Sequence, residues 1–148
     1  MADTAATRSR AGHTHRIYAI LLPIPIVCFV GALLTDWAYQ YSDGNLLWVY
    51  FSSWLLATGL LFGAIAGIVL LVSLGVDAGL RSAAGWGHLG LLFAAWVVEL
   101  INAFVHTRDG WTAVVPTGLT LSLIAVILAL ASGWLWQSAR YRHDGVRP

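Results

Sequence analysis

Four polar side chains recur through an apolar stretch of this 148-residue chain: His88, Glu99, Asn102 and His106, within residues 86–106. Imidazole can ligate a metal or haem iron, a carboxyl can take up and release protons, and an amide can orient either. At about 100° per residue in a helix, Glu99 lies about 20° from His88, Asn102 about 40° and His106 back at about 0°. The four therefore share one stripe of a helix about as long as a bilayer's hydrocarbon core. An ionisable group inside a membrane costs ~2.5–3.5 kcal/mol or more unless it faces a partner or a cavity. Other helices must cover the stripe.

The composition places those helices in a membrane. Hydrophobic residues make up 59% of the chain and charged residues 10%, with a mean hydropathy of +0.76. A soluble domain is nearer ~45–50% apolar and ~25% charged. The formal charge of +1 offers no basic patch for nucleic acid. The expectation is an all-α, four-helix transmembrane bundle preceded by a flexible segment (1–15), occupying 16–138 and followed by a basic tail (139–148). Spans are expected at about 16–35, 46–74, 86–106 and 111–136. Asp36 falls in the first connection, and Pro23 and Pro25 kink the first span or make its start irregular. No convincing small-residue cleavage site follows that span, which reads as an uncleaved helix rather than a signal peptide.

Arginine sets the expected orientation. The chain has no lysine, and seven of its eight arginines fall before the first span, between the second and third, or after the fourth; only Arg108 lies on the other side. The positive-inside rule puts both termini in the cytoplasm. Six of the eight tryptophans fall near span ends, as an aromatic belt would place them, whereas Trp54 and Trp96 sit deeper. Gly59, Gly63 and Gly67 form a four-residue repeat suited to close helix packing. The single cysteine, Cys28, excludes an intramolecular disulfide and reads as a buried free thiol.

Facing histidines on bundle helices can hold haem iron. His88 shares its expected depth with His15 and with His143, so these three are the candidate haem or metal ligands. Headgroup-level solvation is the simpler explanation of the same residues. A zinc site is less well supported, because His13 and His15 have no further ligand cluster. Glu99, near mid-membrane, suits either a hydrogen bond to Ser122 or Thr120, or a role in proton handling or quinone contact.

Several segments resemble the domain of unknown function 2231 family. They are Pro23-Ile24-Pro25-Ile26, Val30-Gly31-Ala32-Leu33-Leu34-Thr35-Asp36, the glycine-rich second helix, His88 opening the third helix and Asn102 along it. The resemblance ends with Ser132-Gly133-Trp134-Leu135 and Tyr141-Arg142-His143-Asp144-Gly145-Val146, and covers roughly residues 15–146. The family's His-Pro-x-His-Pro opening is reduced to His15, with Tyr18 at its second histidine, and its aspartate late in the second helix is Leu70. The resemblance implies a four-helix membrane protein. Some members are fused to, or encoded beside, Rieske domains or quinoprotein dehydrogenases, and the helix plan is similar to that of b-type cytochromes.

The expected function is that of a non-enzymatic membrane subunit in a bacterial cytoplasmic membrane. It would anchor a partner dehydrogenase and relay electrons to quinone, with haem b as a candidate carrier and His88, His15, His143, Glu99 and Asn102 as candidate cofactor contacts. A cofactor-free structural subunit is the alternative, and a small transporter or proton conductor the third. No nucleophile–base pair or phosphate-binding loop argues for stand-alone catalysis.

Overall fold

A computed structural model describes Thr14 and residues 16–108 and 114–143, with side chains as far as Gln137. The expected flexible segment up to residue 13, His15, and residues 144–148 of the expected basic tail lie outside the described residues, as does the side chain of His143. Among the described residues, four helices are long and apolar enough to cross a membrane.

The first span covers Arg16–Gln40, and its regular part is α1 (Pro23–Gln40). Pro23 and Pro25 have no N–H to give the Ala19 and Leu21 carbonyls. Leu22 nevertheless keeps helical angles, φ −57° and ψ −40°, and donates to Tyr18 O at 2.9 Å. The prolines thus interrupt hydrogen bonding within a chain that stays helical. At its other end α1 runs past the expected stop. The Thr35 hydroxyl donates to Gly31 O and Ala32 O (3.0 and 2.9 Å), and Asp36 is buried inside the helix rather than lying in the connection. The chain reverses only at residues 41–44, where Asp43 (φ 52°) and Gly44 (φ 78°) take left-handed angles.

Asn45 caps α2 (Leu46–Val76) by accepting from Leu47 N at 3.1 Å. With 31 residues, α2 is about 46 Å long and exceeds a ~30 Å hydrocarbon layer. Arg81 closes its far end, donating from Nε to Leu74 O at 2.7 Å and from Nη2 to Gly75 O at 2.5 Å. A short turn at Ala78–Leu80 leads to Ser82, whose hydroxyl accepts from Gly85 N at 3.1 Å and caps α3 (Ala83–His106). The fourth span opens with one irregular turn, Val114–Gly118, before α4 (Leu119–His143). Val115 is extended there (φ −121°, ψ 126°), as a residue before proline tends to be. α4 reaches into the expected tail.

Short connections make neighbouring helices antiparallel. α1 packs on α2 and α4, and α3 packs on the same two, which closes a square. Hydrocarbon tails are as apolar as leucine, so association relies on close packing and hydrogen bonds rather than on exclusion of water. Small residues accordingly line the axis: Ala32, Gly59, Ala66, Ala95, Ala125 and Ala129 are buried, whereas Val27, Trp54, Leu61, Phe93 and Trp134 point outward. Gly59 shows the constraint most sharply, because a Cβ there would stand 2.6 Å from Phe29 Cε1. Gly63 faces Trp96 and Pro25, but nothing approaches Gly67, so the glycine groove is two residues long. Of the two deeper tryptophans, Trp54 is exposed on the outer surface, and Trp96 donates to Leu60 O at 2.8 Å.

Candidate functional site

The stripe faces the bundle axis as its spacing predicts. His88, Glu99 and Asn102 are wholly buried and His106 is 3% exposed. Its residues separate into two polar layers. One lies towards the end where the first span begins and the fourth finishes (the terminal end), around His88. The other lies at the opposite, distal end, around His106. Between them every helix presents buried apolar groups: Pro25, Cys28, Phe29 and Ala32 on α1; Leu56, Gly59, Gly63 and Ala66 on α2; Leu92 and Ala95 on α3; Ala125, Val126 and Ala129 on α4.

At the terminal end, His88 Nδ1 lies 2.8 Å from Ser132 O and 2.7 Å from Ser132 Oγ, while that hydroxyl donates to His88 O at 2.9 Å. A carbonyl can only accept, so the ring hydrogen sits on Nδ1. Nε2 is left to accept from the Tyr18 hydroxyl, its hydrogen-bond partner. Trp136 stacks on the imidazole at 4.8 Å and 27°, and Tyr18 stands edge-on to both rings at 5.7 Å. Tyr18 and Leu70, where the chain departs from the family resemblance, both join a core cluster with Ala66, Leu74, Leu92 and Trp136. On the outer side of Tyr18 and Trp136, a groove of about 330 Å³ opens between the first span and α4, lined also by Leu22, Pro23, Ile26 and Val27.

At the distal end all four helices contribute. Asp36 (α1) receives Ser52 Oγ (α2) at 2.6 Å on Oδ1 and Ser122 Oγ (α4) at 2.8 Å on Oδ2. His106 (α3) places Nε2 at 2.8 Å from Asp36 Oδ1 and 3.1 Å from Ser52 Oγ. Its Nδ1 lies 3.0 Å from Asn102 O and must donate to it. The Nε2–Oδ1 link then holds one proton, on nitrogen or on oxygen, and the pair carries no net charge in either form. Asn102 Nδ2 donates to Ser122 Oγ at 2.8 Å and to Glu99 Oε2 at 2.9 Å. Among the described residues, Glu99 Oε1 and Asn102 Oδ1 are buried without a hydrogen-bond partner.

Of the expected site residues, the structure joins Glu99 to Asn102 and sets His88 apart from them. Glu99 bonds neither Ser122 nor Thr120; Thr120 instead donates to Pro116 O at 2.8 Å. Sequence reasoning missed Asp36, Ser52, Ser132 and Tyr18 as parts of these clusters; Ser122, expected beside Glu99, instead bonds Asn102 and Asp36. Hydroxyls embedded in apolar runs were the available signal, since each needs a partner inside a membrane. Trp136, expected in the interfacial belt, is buried against His88.

The described residues do not fit a haem held through His88, because Nε2 accepts from Tyr18 and Nδ1 donates to Ser132. No group of three or more His, Cys, Asp or Glu among the described residues is arranged to hold a metal ion.

Apolar helices closed around a polar axis define an integral membrane four-helix protein. The family described as predicted membrane protein (DUF2231) matches residues 14–147, and the chain belongs to that family. No curated protein and no solved structure matches the chain.

Proposed function

We propose that the chain is the membrane subunit of a redox system in a bacterial cytoplasmic membrane, with both termini inside. It anchors a partner dehydrogenase, whose own redox centre supplies the electrons, and holds the quinone that receives them. One observation carries this reading: Tyr18 stands between an apolar groove of about 330 Å³ and a buried histidine. That volume falls within the ~300–1,000 Å³ typical of small-molecule sites, and the groove lies within a span, where a quinone ring arrives through lipid. Reducing a quinone to quinol consumes two electrons and two protons. The Tyr18 hydroxyl can give one proton to a ring oxygen, with His88 Nε2 holding that hydroxyl in place; the second proton, and the one that restores Tyr18, come from the aqueous phase at the terminal end. The electrons come from the partner, and no step runs through haem. Glu99 and Asn102 are wholly buried in the other layer and make poor direct contacts for a ring.

The cofactor-free structural subunit is the second reading. Full engagement of His88 by Tyr18 and Ser132 favours it, since those bonds alone account for its burial. A proton conductor is disfavoured by the apolar layer between the polar clusters. Binding of a short-chain ubiquinone analogue to the purified protein, followed by quenching of tryptophan fluorescence, decides between the first two. Saturable quenching that Val27→Trp abolishes by narrowing the groove mouth, and that Glu99→Gln leaves unchanged, supports the redox reading. Absence of binding favours the structural one.

A further inference from the structure

We infer that the groove between the first span and α4 favours hydroquinone over quinone, and that Pro23 sets this preference by depriving the Ala19 carbonyl of its helical partner. The preference rests on the redox reading and adds which form of the couple its site retains.

Within a bilayer every backbone carbonyl needs a donor, because no water replaces a missing one. Pro23 has no N–H to give Ala19 O. Leu22, the nearest alternative, donates its own N–H to Tyr18 O at 2.9 Å. Ile24 N–H falls to Ile20 O in a helical register, and Leu22 keeps that register (φ −57°, ψ −40°). Ala19 O is thus an acceptor released from the helical ladder. A helical carbonyl points along the axis towards the residue four positions on, here from Ala19 to Pro23. Both residues are exposed, and both line the groove of about 330 Å³. The released oxygen therefore lies on the groove's wall.

A second polar atom of the first span also accepts there. Tyr18 gives its only hydroxyl hydrogen to His88 Nε2, which leaves lone pairs on the phenolic oxygen. A quinone carries two acceptor oxygens and no donor, so it leaves Ala19 O unbonded. Reduction adds two electrons from the partner's redox centre and two protons, and turns both oxygens into hydroxyl donors. The hydroquinone can then donate to Ala19 O while its ring keeps the apolar contacts with Leu22, Ile26 and Val27. One hydrogen bond to a carbonyl otherwise left bare is worth about tenfold in affinity. Holding the reduced form tenfold more tightly raises the potential of the bound two-electron couple by about 30 mV. Bound quinone is then a stronger oxidant of the partner than free quinone. Pro23 acts as a specificity-determining residue without touching the reacting oxygens.

Calorimetry on the purified full-length chain, without oxygen, can compare three probes. They are a short-chain ubiquinone analogue, its hydroquinone, and that hydroquinone with both hydroxyls methylated. The hydroquinone should bind about tenfold more tightly than either of the others. Pro23→Ala returns an N–H to Ala19 O, and the ratio of hydroquinone to quinone affinity should then fall to near one, whatever the altered shape does to both forms together. Saturable quinone binding with no preference for hydroquinone overturns the carbonyl's role and leaves the redox reading standing. A preference that survives in folded Pro23→Ala does the same, as does a methylated probe that binds as tightly as the free hydroquinone. If Pro23→Ala does not fold, the methylated probe decides alone. Absence of binding by all three probes removes the redox reading, and this preference with it.

Discussion

Asp36 and His106, 70 positions apart in sequence, meet at 2.8 Å inside the distal end of the bundle and fix the rotation of α1 against α3. Ser52 and Ser122 complete the pair from the other two helices, so a single carboxylate reports the assembly of all four spans. Removing one partner of a buried pair leaves the other without compensation, at a cost of about 3–5 kcal/mol. Asp36→Leu should therefore lower the thermal unfolding midpoint in detergent severely. Ser52→Ala should lower it less, by the ~1 kcal/mol of one hydrogen bond. Equal losses in the two variants would show that the pair does not organise the bundle.

The terminal cluster makes a separate prediction. Tyr18→Phe retains the ring but deletes the donor to His88 Nε2, and should destabilise the fold by about 1–3 kcal/mol. Wild-type protein expressed with ample haem should show no Soret band, since His88 has no nitrogen free for iron. A reduced-minus-oxidised haem signal that His88→Ala removes would show that Tyr18 yields its place to the metal.

Packing at the glycines can be tested position by position. Gly63→Leu forces a branched side chain against Trp96 and Pro25 and should destabilise by about 1–3 kcal/mol or more, whereas Gly67→Leu, with open space before it, should be close to neutral. Similar melting temperatures for the two variants would place both glycines on the lipid surface.

Orientation follows from the arginines. A reporter fused to the carboxyl terminus should be active in the cytoplasmic format and silent in the periplasmic one. The opposite result would invert the protein and move the distal cluster to the cytoplasmic side.

The four spans were legible because membrane helices carry a one-dimensional signal, an apolar run of sufficient length. The stripe was legible for a similar reason: His88, Glu99, Asn102 and His106 all lie on α3, so a local periodicity places them on one face. Their partners are on other helices and leave no such trace. Asp36 follows a long apolar run and resembles the start of a loop; only contact with Ser52, Ser122 and His106 makes it a core residue. Trp136 matches an interfacial anchor by position, and its stack on His88 depends on how α4 closes against α3. Tyr18 and Leu70, the two departures from the family resemblance, are far apart in sequence, and only the packing of the spans brings both into one core cluster.

The apolar layer between the two polar ends also has an electrical consequence. Water and mobile dipoles screen a field where they are present, so a transmembrane voltage drops mainly across the dry part of the bundle. Glu99 lies seven residues from His106, about 10 Å along α3. If the field were uniform over ~30 Å of hydrocarbon, a proton brought to Glu99 from the distal mouth would cross about a third of it, equivalent to about 0.8 kcal/mol per 100 mV. A proton moved between that mouth and Glu99 would therefore sense at most about a third of the membrane potential, and the apolar layer beyond Glu99 would carry the rest.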